Sequence, residues 1–349
     1  MNIIKRLQRT YYARQSHFLY ETKSLNAIPT QLGICLTHLC NLKCPICMRE
    51  TYLPPEGQIT LPQIKSLMRR MPAIQGVCIM GLCEPLLNPE TPDIIRWLKT
   101  KGGYSLSLTT NGMVDIKFDL LEALQHIDDM VFSIDSPDPE TTRVQRGGAD
   151  LNRIMRNLVH VLEYKKSCGL GADDNPPIHI NAVMTRETFP QVPELIELLE
   201  PYAKELTYLM VDPVTRPDYS LQTPFILDSR ERIRLPKYRK LAKESPLKVV
   251  GFDWMFEISK AWGRCHLTWS GMFIHPNGDA YFCYDYQNTL GNVFKENPID
   301  VWNSPQAIEF RRKLLSPNPP LNQCHFCNFA RHGWQPKGDY NRNKEDTIG

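Results

Sequence analysis

No apolar run in this 349-residue chain approaches the ~18 residues a membrane span requires. Nothing at its start reads as a secretory signal. The two absences together predict a soluble cytoplasmic protein. Net charge is also scarce, at +3 for the whole chain. Within residues 1–24, five basic residues (Lys5, Arg6, Arg9, Arg14, Lys23) stand against one acid, Glu21, so this arm carries +4 and the remainder −1. So balanced a remainder leaves no basic face for nucleic acid. The arm places Ile3, Ile4, Leu7, Tyr11, Phe18 and Leu19 at roughly helical spacing. That pattern predicts a helix packed across one end of the main domain, with contact to a membrane surface or a partner as the other use of such a stretch. There is no internal repeat and no low-complexity tract.

Eleven cysteines are too few for a disulfide scaffold, and without a secretory signal they are expected to be reduced. Their distribution is uneven. Cys40, Cys44 and Cys47 form one group, and Cys265, Cys283, Cys324 and Cys327 lie near the other end, while Cys35, Cys78, Cys83 and Cys168 are scattered. Two such groups in a cytosolic chain point to metal.

From about residue 30 to 212 short apolar runs alternate with longer stretches of helical period. The runs predict strands at 31–36, 75–80, 104–109, 129–135, 178–184 and 205–211, with helices near 60–71, 90–101, 117–126, 150–167 and 191–202. Alternation of this kind makes an α/β fold with a parallel sheet. Six repeats are too few for a closed eight-stranded barrel, so the sheet is expected to be an open or partial one, with its active site at the carboxyl ends of the strands. Residues 1–29 are then an N-terminal arm and 30–212 the barrel. Residues 213–260, which include a basic helical segment near 228–243, make a connection. Residues 261–334 make a second unit of short strands and turns, and 335–349 a polar tail.

CNLKCPIC, Cys40 to Cys47, follows the first strand directly. Three thiolates in one turn serve either a zinc ion that takes its fourth ligand from elsewhere or a [4Fe–4S] cube with one iron left open. The loop resembles the cluster loop of the radical S-adenosylmethionine (SAM) superfamily, whose fold is a partial (β/α)6 TIM-like barrel. The resemblance implies that Cys40, Cys44 and Cys47 hold three irons while SAM chelates the fourth, and that reductive cleavage there releases a 5′-deoxyadenosyl radical. It also implies reduced ferredoxin or flavodoxin as electron donor.

Further motifs follow at successive strand ends. GLCEPLLNPE, residues 81–90, is similar to the family's GGEP segment at the methionine end of SAM: Gly81, Glu84 and Pro85 fit, whereas Cys83 stands where the family usually has glycine. Cys83 is therefore either a small residue tolerated in a tight turn or a radical-active thiol. The third strand ends in TTNG (Thr109, Thr110, Asn111, Gly112) and the fourth in SIDS (Ser133, Asp135, Ser136), both matching places where the family sets short polar groups against SAM. Arg146, in QRGG, matches the arginine that meets the SAM carboxylate, and a guanidinium offers two donors to such a group. Ile46, Asn181 and Val183 are candidates for the adenine side.

The second cysteine group, with GDAYFC at 278–283 and CHFC at 324–327, resembles the SPASM or twitch extension of that superfamily, a small C-terminal α+β iron–sulfur domain. Four cysteines imply one auxiliary [4Fe–4S] cluster with a complete ligand set. A structural zinc on the same thiols is the alternative. His266, His275, His325 and His332 lie nearby and are expected to be surface or hydrogen-bonded histidines for the most part. A closed cluster suits electron transfer or support, and no spare thiol remains in this unit. Together these favour oxidation over epimerisation. A small molecule such as a sugar or aminocyclitol derivative is the expected substrate, because only about thirty residues precede the barrel, whereas peptide-modifying relatives often carry a longer recognition domain there. The alternatives are peptide modification and a non-catalytic iron–sulfur or zinc scaffold.

Overall fold

The computed structural model describes residues 3–49, 56–171, 174, 176–213, 227, 229–252, 265, 267–283, 288–317, 321 and 324. Cys327, His266, His325, His332 and the tail 335–349 lie outside them, as does much of the 213–260 connection. The six strand signals become β1 (Gln31–Ile34), β2 (Gly76–Ile79), β3 (Ser105–Thr110), β4 (Asp129–Ser133), β5 (Ile178–Met184) and β6 (Tyr208–Pro213). Each is parallel to the next in chain order. Chain crossovers between them are helical: α2 (Leu61–Arg70), α3 (Thr91–Arg96), α4 (Phe118–Leu124), α5 (Pro139–Gln145), α6 (Leu151–Ser167) and α7 (Val192–Leu199), numbered after α1 (Ile3–Glu21).

Two periodicities build the core. On the strands alternate residues point to opposite faces, so Leu106, Leu108, Phe132, Ile180 and Val211 are fully buried. They share one core with Ile64 and Leu67 of α2, Ile154 and Leu158 of α6, and Leu195 and Leu199 of α7. The intervening strand residues Ser107, Thr109, Val131, Ser133, Asn181, Val183 and Met210 are only half-buried, which marks the inner face of a partial barrel. Local signals fix the helix starts. Thr60 and Gln63 form a capping box on α2, and Asp150 caps α6.

The sheet exceeds the six expected strands. β7 (Val249–Val250) extends it beyond β6, and β8 (Gly271–Ile274) runs parallel to β1 on the opposite side, continued by the antiparallel strands β9 (Asp279–Tyr281) and β10 (Gly291–Asn292). The region carrying the second cysteine group is thus joined to the barrel through β8. Side chains tie it further: Arg70 of α2 donates to the Val293 and Glu296 carbonyls at 2.6 and 2.9 Å. α8 (Ser229–Arg232) and α9 (Leu235–Glu244) precede β7; α10 (Leu267–Ser270), α11 (Pro298–Trp302) and α12 (Pro305–Leu314) belong to the C-terminal region. α1 is anchored by Ser16, which donates to the Ile28 carbonyl before β1 at 2.9 Å, and by the Tyr20 ring, which meets Trp269 of α10 edge-on at 5.6 Å, while Tyr11 and Phe18 stay exposed. Among the described residues no helix is long and apolar enough to cross a membrane.

Candidate active site

The loop that leaves β1 carries Cys40, Cys44 and Cys47, all half-buried, and is gripped from three sides. Behind it, the Glu84 amide donates to the Leu39 carbonyl at 3.0 Å. Beside it, Asn111 Nδ2 donates to Asn41 Oδ1 at 2.8 Å and reaches Cys40 Sγ at 3.7 Å. Across it, the Lys43 amide donates to the Gly147 carbonyl at 3.1 Å. Gly147 has φ +54°, and a Cβ there would stand 2.0 Å from the Lys43 carbonyl oxygen, so only glycine allows this approach. The motifs that the sequence scatters over Gly81–Gly148 therefore converge on one loop at the carboxyl end of the sheet.

Glu84 is buried and accepts three hydrogen bonds, from the Leu86 amide (3.1 Å), Thr110 Oγ1 (2.9 Å) and the Asn111 amide (2.7 Å). Its carboxylate locks the end of β2 to the end of β3. Burial pushes its pKa up to about 7, against the pull of these three donors. Gly81, two residues before Cys83, has φ +142° and lies against Cys35 Sγ. The Cys35 thiol donates to the Thr37 carbonyl at 3.4 Å; burial first, and its hydrogen bond with Cys83 second, hold it well above the ordinary thiol range.

Arg146 is 8% exposed and Asp135 1%, and Arg146 Nη2 meets Asp135 Oδ1 at 2.6 Å. Asp135 Oδ1 also accepts from the Val183 amide at 2.8 Å, so the pair links β4, β5 and the RGG loop. Burial disfavours the guanidinium charge, but Asp135 and the neighbouring Cys44 and Cys47 outweigh it and hold the pKa above the usual arginine value. In return, burial raises the Cys44 thiol to about 11 while Arg146 pulls it down. Burial likewise raises Cys40 and Cys47. Bare thiols in this setting keep their protons, and thiolate forms once iron replaces them.

The remaining expected residues take up the inner barrel rim. Ser133 of β4 pairs in register with Asn181 of β5, both half-buried. Arg146 Nε and Asn181 Oδ1 are buried and, among the described residues, have no hydrogen-bond partner, a donor and an acceptor suited to a bound molecule. Ile46 is half-buried within the cluster loop. Among the described residues no group of three His, Cys, Asp or Glu side chains gathers on one point as a single metal ion would require. The three cysteine thiols are nonetheless close enough for their charges to act on one another.

Lower in the barrel lies a polar layer that the sequence reading missed. The Asp129 side chain of β4 meets the ring of His179 of β5, which stacks on Tyr208 of β6 at 4.2 Å. The contact is visible only once strand register sets His179 opposite Val131, two residues along β4 from Asp129.

In the C-terminal region Cys265, Cys283 and Cys324 are half-buried. Cys265 precedes α10 and Cys283 follows β9. His275 is 4% exposed and packs on Tyr281 at 4.2 Å, and burial lowers its pKa to about 4.

The profile of the radical SAM superfamily matches residues 34–199, and that of the SPASM iron–sulfur cluster-binding domain matches residues 265–328. Among curated proteins, the chain is 25% identical over 320 residues to a tungsten-containing aldehyde ferredoxin oxidoreductase cofactor-modifying protein of Pyrococcus furiosus, covering 84% of this chain and 85% of that one. It is 28% identical over 166 residues to a GTP 3′,8-cyclase of Haemophilus ducreyi, where the match spans 45% of each. Among solved structures, SuiB of Streptococcus suis bound to its precursor peptide SuiA superposes with a TM-score of 0.68 at 18% identity, over 91% of this chain and 74% of that one. Native anSMEcpe with bound AdoMet and the Cp18Cys peptide does so with a TM-score of 0.62 at 17% identity, over 87% of each chain. The two structural likenesses establish the fold.

Proposed function

Because the chain belongs to the radical SAM superfamily and carries a C-terminal SPASM domain, we propose that it oxidises a small polar molecule by removing one hydrogen atom, passing the remaining electron to the auxiliary cluster and giving up a proton to a base. Its cofactors are a SAM-binding [4Fe–4S] cluster, SAM, and auxiliary iron–sulfur on the SPASM domain. Bound together, the first cluster and SAM supply the 5′-deoxyadenosyl radical that takes the hydrogen atom.

The observation that carries this reading is the convergence of Glu84, Asn111, Gly147 and the Asp135–Arg146 pair on the Cys40–Cys47 loop. Cys40, Cys44 and Cys47 would hold three irons, and no fourth side chain is needed. Arg146, fixed by Asp135, presents its unpartnered Nε as a donor suited to a carboxylate, and Asn181 Oδ1 is an acceptor suited to an amine. Glu84 positions the Asn111 amide and, through Thr110, ties the two strand ends that would lie beneath the methionine end. Ser133, Val183 and Ile46 would stand on the nucleoside side. Met210 and Asp212 of β6, half-buried on the inner face, are candidates for contact with substrate.

Two features support oxidation of a small molecule. Cys265, Cys283, Cys324 and Cys327 are enough thiols to close one auxiliary cluster, which then serves as electron acceptor rather than substrate ligand. The curated relatives above are named for acting on a cofactor and on GTP, both non-peptide. Cys83, half-buried in the motif loop beside Cys35, is the thiol placed to return a hydrogen atom if the outcome were epimerisation.

The test is anaerobic incubation of iron-loaded protein with dithionite and SAM, followed by a panel of deuterated nucleotides, sugars and peptides. We expect 5′-deoxyadenosine in every case and deuterium in it only with a small polar molecule. Transfer from a peptide would replace the substrate reading, and absence of 5′-deoxyadenosine would make the chain a scaffold.

A further inference from the structure

Arg311, on α12, is completely buried, and among the described residues no carboxylate pairs with it. Its guanidinium is held by backbone carbonyls from three separate segments: Nε donates to Thr268 at 2.7 Å, Nη1 to Leu25 at 2.9 Å and Nη2 to Trp302 at 2.8 Å. Asn303 Oδ1 lies 3.4 Å from Nη1. Two aromatic rings enclose it, Phe282 at 5.3 Å and Trp302 at 5.1 Å. Burial alone pulls its pKa down to about 9, which leaves it charged at neutral pH. An isolated buried cation is costly unless a negative charge stands nearby.

Two of the groups that surround Arg311, Phe282 and Thr268, adjoin the second cysteine group. Phe282 is followed directly by Cys283, and Thr268 Oγ1 donates to the Cys265 carbonyl at 3.3 Å. A cluster held by four thiolates is a net anion. We propose that Arg311 is the counter-charge of the auxiliary cluster, placed behind Cys265 and Cys283 to raise its reduction potential and so make it an electron acceptor. The proposal rests on the presence of that cluster. The added electron makes the cluster more negative, and a fixed cation favours that state. For unit charges about 12 Å apart at an effective dielectric near 20, Coulomb's law gives roughly a tenfold shift in the ratio of reduced to oxidised cluster.

A redox titration followed by electron paramagnetic resonance reads this directly. Cys40→Ala, Cys44→Ala and Cys47→Ala together serve as the parent, so that only the auxiliary cluster gives a signal. In this background Arg311→Lys keeps the charge and should titrate with the parent. Arg311→Gln, and the near-isosteric Asn303→Asp that sets a carboxylate against the guanidinium, should each hold about tenfold less reduced cluster at the parent's midpoint, 59 mV for a one-electron couple. If Arg311→Gln fails to retain iron, Asn303→Asp decides the matter, since Arg311 and its three backbone carbonyl partners are kept. An iron-loaded Asn303→Asp protein that titrates with the parent would overturn the proposal alone. A parent with no iron would remove the auxiliary cluster itself.

Discussion

Replacing Asp135 by Asn tests whether the Asp135–Arg146 pair holds the rim of the site. The substitution preserves shape and an acceptor for the Val183 amide, but it removes the countercharge from an arginine whose side chain is 10% exposed. Removing one partner of a buried pair costs about 3 to 5 kcal/mol, because the remaining charge is stranded. Unfolding entropy near 2.1 cal/mol/K per residue, over 349 residues, is about 0.7 kcal/mol/K. The expected fall in melting temperature is therefore roughly 4 to 7 °C for iron-loaded protein under anaerobic calorimetry. Removing the stranded charge as well, in Asp135→Asn with Arg146→Met, should restore part of that loss. A single variant that melts within 1 °C of the parent, or a double variant that melts lower than the two single effects added, would refute the coupling.

Three other outcomes follow from the same geometry. Glu84, with its pKa raised from 4.5 to about 7, keeps its proton in the fold where the unfolded chain has lost it. Its contribution to stability is therefore full below about pH 4.5 and lost as pH rises through 7, a difference of about 3 kcal/mol; urea melts should show the parent weakening from pH 5 to 8 relative to Glu84→Gln, and parallel profiles would contradict it. Gly147→Ala would set a Cβ 2.0 Å from the Lys43 carbonyl and should cut iron retention at the first cluster several-fold, measured after gel filtration, with the auxiliary cluster intact. Cys83→Ala should leave SAM cleavage within about twofold of the parent and abolish solvent deuterium in product only if the outcome is epimerisation; under the oxidative reading product carries no such deuterium in either protein.

The six barrel strands and their helices were legible because alternation and helical period are local properties, written within ten to twenty residues. The cluster loop was legible for the same reason, with three thiols and a proline in eight residues. What escaped the sequence reading depends on register. β7 has two residues, too few for any periodic signal. β8 has an apolar run, but nothing in GMFI announces a parallel partner more than two hundred residues earlier. The Asp129–His179 pair needs β4 and β5 in their actual alignment. Arg311 in sequence reads as one more basic residue in the last turn of a helix, beside Arg312 and Lys313. Its burial follows from the packing of α12 against α10, α11 and the residues before β1. The fold brings the motif residues together, but the roles that geometry gives Glu84 and Asp135, locking strand ends and fixing Arg146, rest on hydrogen bonds that spacing does not reveal.

The most direct test is electron paramagnetic resonance of dithionite-reduced, oxygen-free protein in which Cys265→Ala and Cys283→Ala silence the auxiliary signal, titrated with SAM. A cluster carried by Cys40, Cys44 and Cys47 with one iron open predicts a spectrum that changes and saturates as SAM is added, with about four irons per chain. A spectrum indifferent to SAM at that same iron content would contradict it.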